Sequence, residues 1–267
     1  MKLPKITTKQ QTILKLIYRY RFLNRVQIQA LLGHKSHKNT IVWLKDLRQK
    51  QYLDWIYSTD FAEKTKPAIY YLNIDGLRYL TSTGDYPIEE LRKRYREHSL
   101  KQPFIDRSIL LADCCISLMV NSVAGVSYSF VTHADYTDPG DQYHFFAETG
   151  LIKPQLIIKK QERLPQTTKT TNYLLEVFDA SLPQYRIRKR LKDYVKFLAD
   201  GAWAGERDDP EPIILLVCPS LHVLIYAKWR VRKYLEDIPS AADIKIQFTT
   251  TEILKQRGMT AEIWEIL

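Results

Sequence analysis

The sequence predicts an α/β protein, α+β over the whole chain, in two parts. These are an N-terminal winged helix-turn-helix and an α/β domain around a mixed sheet. Three observations lead there. Short segments with helical apolar spacing precede two aromatic, β-branched segments within the first eighty-five residues. Strand-like apolar runs then alternate with amphipathic helices. The positive charge is also uneven: residues 1–110 hold 21 of the 40 Lys/Arg but only 10 of the 30 Asp/Glu, so the net charge of +10 belongs to the first part.

Taken in order, Thr7 or Thr8 is placed to cap a helix whose apolar positions are Ile13, Leu14, Ile17 and Tyr18. Asn24 caps a second, "RVQIQALLG", that stops at Gly33. Ser36 caps a third, "HKNTIVWLKDLRQKQY", with Ile41, Leu44 and Leu47 on one face. A short helix, a brief Gly-containing turn and another amphipathic helix meet the requirements of a helix-turn-helix. "YLDWIYS" and "AIYYLNI", joined by "TDFAEKTKP", predict a hairpin with a wide loop, and Asp75 caps a helix through "GLRYLTSTG". The first domain is thus placed at 1–85, with 86–102 a charged helical connector containing the boundary and 103–267 the second domain.

In the second domain "PFIDRSILLADCCISLMVNSV" reads as a mostly buried helix. Strands are expected at Val126 to His133, Pro154 to Lys160, Asn172 to Asp179, Ile213 to Cys218 and Ile244 to Phe248, and helices at Gln184 to Ala199 and Leu221 to Asp237. That order suggests a mixed sheet of about four or five strands.

Composition narrows the function. Hydrophobic residues at 45% and charged residues at 26% are those of a folded globular chain, and 267 residues suffice for two cores. The apolar runs are too short or too interrupted to span a bilayer and no signal-peptide core is present, so a cytoplasmic protein without membrane contact is expected. Cys114, Cys115 and Cys218 form no disulfide framework. The nine glycines are scattered and make no phosphate loop. No His-X-His array accompanies the seventeen tyrosines, which argues against a rolling-circle relaxase. His34 and His37 lack further ligands nearby and are expected to face DNA rather than zinc. Trp203, Trp229 and Trp264 are expected in or near the core.

A positive field confined to one module suggests a polyanionic partner, most simply double-stranded DNA. The outer face of the third helix offers Lys35, His37, Lys38, Asn39, Thr40, Lys45 and Arg48 to a major groove. Asn39 is the candidate for a base contact, because an amide both donates to and accepts from adenine. The lysines, with Lys64 and Lys66 near the wing tip, would meet phosphates. The alternative is a protein-interaction adaptor whose lysines are solvated surface.

In the second domain Glu148, Glu176 and Asp179 are the acids that could converge, together with Lys159, Lys160 and Lys189. Two carboxylates and a lysine can hold a divalent cation, activate water against a phosphodiester and neutralise the charge that develops. Alternation along the strand puts Glu176 and Phe178 on one face and Asp179 on the other.

A winged helix, a charged connector ending near His98, then "ETGLIKPQLIIKK", "YLLEVFD" and "KRLKDYVKFL" together resemble the replication-relaxation family of plasmids and other mobile elements. The resemblance covers roughly residues 7–200. It implies a domain similar to PD-(D/E)xK nucleases, of restriction-endonuclease-like fold. The family pattern has a Pro-Asp pair before the first core strand, a Glu in the next, and a Lys and a Tyr in the following helix. Pro154, Glu176, Lys189 or Lys192, and Tyr194 match it. Gln155 stands where the aspartate should be and Phe178 where the nuclease motif has lysine.

An amide offers no charge to Mg2+, and phenylalanine cannot neutralise phosphate. No catalytic residue and no cofactor is therefore expected, with Glu176 paired to a helix cation such as Lys189 or Arg190. The alternative is a metal-dependent endonuclease or nickase using Mg2+ with Glu148, Glu176, Asp179 and Lys189. Arg186, Arg188, Arg190 and Lys192 could supply a second phosphate surface. The resemblance implies a role in replication, mobilisation or transcriptional control, with a replication or mobilisation protein as a possible partner. A homodimer is the default expectation for a reader of paired half-sites.

Overall fold

The computed structural model of the protein describes residues 3–58, 60, 65–137, 146, 152–203 and 209–267. They form two compact units, one mainly of Met1–Ile116 and the other mainly of Ser117–Tyr136 with Gln142–Leu267.

The first unit opens with α1 (Thr8–Tyr20), started by a capping box in which Thr7 and Gln10 satisfy each other's backbone N–H groups. Its inner face is Ile13, Leu14, Ile17 and Tyr18. β1 (Leu23–Asn24) leads into α2 (Arg25–Leu31), capped by a second box between Asn24 and Gln27. Gly33, at φ +61°, takes the left-handed conformation that turns the chain after it.

α3 (His37–Gln49) ends earlier than expected, because Gln51 at φ +60° turns the chain and buries Tyr52 beneath it. Its core face is Thr40, Leu44 and Leu47, and Ile41 is 44% exposed. The expected face was misplaced because threonine counts as polar although its methyl group packs well.

β2 (Leu53–Ile56) and β3 (Ile69–Leu72) pair antiparallel, and β3 lies between β1 and β2. α4 (Ile74–Thr83) is capped by Asn73, two residues before the expected Asp75, and stops at left-handed Gly84. Residues 86–102 are not a single helical connector: α5 (Ile88–Lys93) is followed by a 3-10 turn, Arg94–Ser99, with a kink at Arg96. Glu97, 2% exposed, accepts from Arg21 at 2.9 Å and Arg94 at 3.3 Å, and Arg94 lies over the Tyr18 ring. These contacts build the segment into the first unit, and the two units divide inside α6 (Gln102–Val120).

The second unit is a six-stranded mixed sheet in the order β4-β5-β6-β7-β8-β9. β4 (Val126–Thr132), β5 (Leu156–Arg163) and β6 (Thr168–Val177) are antiparallel neighbours. α7 (Gln184–Ala199) and α8 (Leu221–Asp237) are the crossovers that make β6, β7 (Ile213–Cys218) and β8 (Ile246–Thr250) parallel. After α9 (Thr251–Arg257), the two-residue β9 (Glu265–Ile266) adds the sixth strand, too short to leave a pattern in the sequence.

Leu174 and Phe178 of the β6 segment, with Ile157, Ile214, Leu216 and Phe248, pack against Ile187, Leu191 and Tyr194 of α7 and Leu224, Ala227 and Val231 of α8. Trp203 is buried in this core. Trp229 is 53% exposed, contrary to expectation, because it lies on the outer side of α8 with the Arg230 guanidinium 4.4 Å from its ring centre. No helix among the described residues is long and apolar enough to cross a membrane.

Candidate nucleic-acid interface and the Glu176 site

On the first unit the structure exposes Lys35 in the turn before α3, and His37, Lys38, Asn39 and Lys45 along the helix. Thr40 is withdrawn from this set. It is fully buried and its hydroxyl donates to the Ser36 carbonyl at 3.4 Å, so it faces the core and not a groove. Arg48 also differs from the expectation of an open cation: its guanidinium lies 3.4 Å from the centre of the Trp55 ring. Lys66 is exposed beside the hairpin loop, and Lys64 lies outside the described residues. His34 is built into the turn, accepting from the Ser36 N–H at 3.2 Å and meeting Trp43 edge to face.

On the second unit, alternation along β6 turns Glu176 towards the helices, between Leu174 and Phe178. It is 5% exposed, and its carboxylate is fully engaged. Tyr194 donates to Oε2 at 2.7 Å and Arg190 Nη2 to the same oxygen at 2.9 Å. Arg190 Nε donates to Oε1 at 3.1 Å and Gln155 Nε2 to Oε1 at 3.0 Å. Arg190 and Tyr194 are four apart on α7, so both reach one point on the strand. Arg190 Nη2 also donates to the Lys153 carbonyl.

Gln155 completes the arrangement in a way a carboxylate could not. Its Nε2 donates to the Val177 carbonyl at 3.1 Å as well as to Glu176, while its Oε1 accepts from the Val177 N–H at 3.0 Å. An aspartate there would have no proton to give and would repel Glu176.

The electrostatics follow this geometry. Burial pulls the Arg190 pKa down, but the charge and hydrogen bond of Glu176, with Tyr194 and Asp193, leave it raised. Burial, then the Glu176 charge, raises the Tyr194 phenol well above its ordinary value.

The other candidate residues do not join this cluster. Lys189 is exposed, one position before the arginine that meets the acid. Asp179 accepts from the N–H and hydroxyl of Ser181. Lys159 pairs with Asp209 at 2.9 Å and Lys160 with Glu162 at 2.9 Å. Glu148 lies outside the described residues.

Among the described residues no three His, Cys, Asp or Glu side chains are grouped to hold a metal ion. The groups around Glu176 do not suit a divalent cation either: a guanidinium holds both carboxylate oxygens, and the Gln155 side-chain oxygen already accepts the Val177 N–H. A cavity of about 220 Å³ lies on the opposite face of the sheet, lined by Tyr128, Lys160, Tyr173, Gln247 and Trp264. It therefore does not contain the acid.

Of the second basic set, Arg186, Arg188 and Lys192 are exposed on α7. Arg190 is not part of that surface, because Glu176 and Lys153 hold it inward. Sequence reasoning gave no role to Gln155 beyond a missing aspartate, and none to Trp55. Gln155 has no local signal, since Glu176 lies 21 residues away, and the Arg48 partner of Trp55 is on another element.

A family model described as replication-relaxation matches residues 14–208. No curated protein matches the chain, and no solved structure does.

Proposed function

The chain belongs to the replication-relaxation family, and from that premise we propose a duplex-DNA-binding protein acting in the replication or mobilisation of a plasmid or mobile element. The observation that carries the reading is the exposed row His37, Lys38, Asn39 and Lys45 on α3, preceded by Lys35. It stands on a unit whose helices and hairpin follow the order of a winged helix-turn-helix. In that arrangement α3 enters the major groove, Asn39 reads a base edge, and the lysines and Lys66 meet phosphates.

The second unit binds rather than cuts. Glu176 serves as an internal fastening between β6 and α7, and Arg186, Arg188, Lys189 and Lys192 offer a further phosphate surface. Charge reversal at Lys38 and Lys45 together should abolish retardation of a short duplex in a gel, while the protein stays folded. Unchanged retardation would remove α3 from the interface. Incubation of supercoiled plasmid with Mg2+ or Mn2+ should give no nicking that depends on Glu176. Nicking that disappears in Glu176→Ala would restore the nuclease reading.

A further inference from the structure

Alternation along β2 carries Leu53, Trp55 and the following Tyr57 on one side of the hairpin, with Tyr70 and Leu72 of β3 opposite Trp55 and Leu53. Leu53 and Leu72 are buried, but towards the loop the same side emerges into solvent: Trp55 is 37% and Tyr57 45% exposed. The rings of Trp55 and Tyr57 are stacked, with centres 5.5 Å apart and planes at 28°. Tyr70 meets Trp55 at 6.0 Å, and the Arg48 guanidinium sits 3.4 Å from the Trp55 ring centre. A cation and three aromatic rings thus hold one another in fixed orientation next to α3. Burial raises the Tyr70 phenol, and the charges of Arg48 and Arg25 oppose that rise.

Paired bases cover their faces with one another and show only their edges in the grooves, so an exposed ring face has little to gain from intact duplex. An unpaired base has a free face, and stacking on an aromatic side chain is tolerant of base identity. We infer that Arg48, Trp55 and Tyr57 form a stacking platform for an unpaired segment of DNA adjoining the duplex held by α3. The inference rests on the DNA-binding reading and sharpens its substrate to a junction of paired and unpaired strands, as arises where a duplex is opened for copying or transfer.

The test compares full-length protein on a labelled duplex, the same duplex with a central run of unpaired thymines, and oligothymidylate alone. The opened duplex should bind on the order of tenfold tighter than the closed one. Tyr57→Ala, at an exposed position beyond β2, should remove most of that preference and leave closed-duplex affinity intact. Tyr57→Phe should retain the preference. Lys38→Glu with Lys45→Glu should weaken both duplexes. Equal affinity for the two duplexes, or a preference that survives Tyr57→Ala, would overturn the platform while leaving DNA binding in place. An aromatic pair whose removal changes no DNA affinity would belong to a protein contact instead. Failure to bind any of the three DNAs would count against the DNA-binding reading itself and the platform with it.

Discussion

Burying a carboxylate removes the hydrogen bonds that water supplied, and Glu176, 5% exposed, regains them from Arg190, Tyr194 and Gln155. Removing one partner of such a pair should be costly. Arg190→Ala is expected to lose about 3 kcal/mol in chemical denaturation, because it strands the acid. Glu176→Gln keeps the shape and the two hydrogen bonds accepted by one oxygen, and should lose roughly half as much. Gln155→Glu places a second carboxylate against the first and should destabilise by on the order of 2 kcal/mol at neutral pH.

The phenol of Tyr194 makes stability depend on pH on the alkaline side. Its folded pKa lies above the ordinary 10.0, so its contribution is full below pH 10 and is lost as pH rises beyond that value. Tyr194→Phe should flatten the alkaline fall in stability, leaving the part due to groups such as Tyr71, which burial and then Asp54 push up to about 12. An unchanged alkaline limb would show that Tyr194 is not the buried phenol described. The alternation of β6 made the inward position of Glu176 legible in the sequence, and a helix cation was the expected partner. The choice of Arg190 over Lys189 was not legible, since it depends on the rotation of α7 against the sheet.

Several helix boundaries were readable from a local chemical signal, since the Thr7 and Asn24 caps, Gly33 and Gly84 all act as turn or cap residues, but Ser36 makes no side-chain cap bond and Asn73 caps α4 in place of Asp75. α7 and α8 span the residues expected of them because their apolar spacing is regular and long. Where tertiary contacts decided, the sequence misled, as with the connector that Glu97 fastens to Arg21 and with Thr40 on the inner face of α3.

Gly76 is a case of the same kind. Glycine within a helix usually costs stability relative to alanine, yet a Cβ here would come within 2.3 Å of the Tyr52 carbonyl oxygen, which accepts the Asn73 N–H. Gly76→Ala should therefore destabilise, by roughly 2 kcal/mol or more as overpacking against backbone does. A thermal midpoint equal to or above that of the unsubstituted protein would contradict the close packing of α4 on the strand entrance.

Over the whole molecule, the charge imbalance is the feature that most constrains function, and it is legible in the sequence itself: a surplus of Lys/Arg in residues 1–110 against near neutrality afterwards. The structure adds which cations are available. Lys35, Lys38 and Lys45 are exposed, whereas Arg21, Arg94 and Arg190 are held in internal ion pairs. The most direct test of the central claim is the affinity of the full-length protein for a short duplex as salt is varied, measured by fluorescence anisotropy. Binding should be saturable, and the logarithm of the association constant should fall linearly with the logarithm of salt, the slope shrinking by about one for each of Lys38→Ala and Lys45→Ala. Saturable binding whose slope is the same in both variants as in the unsubstituted protein, or no binding at low salt, would contradict the account.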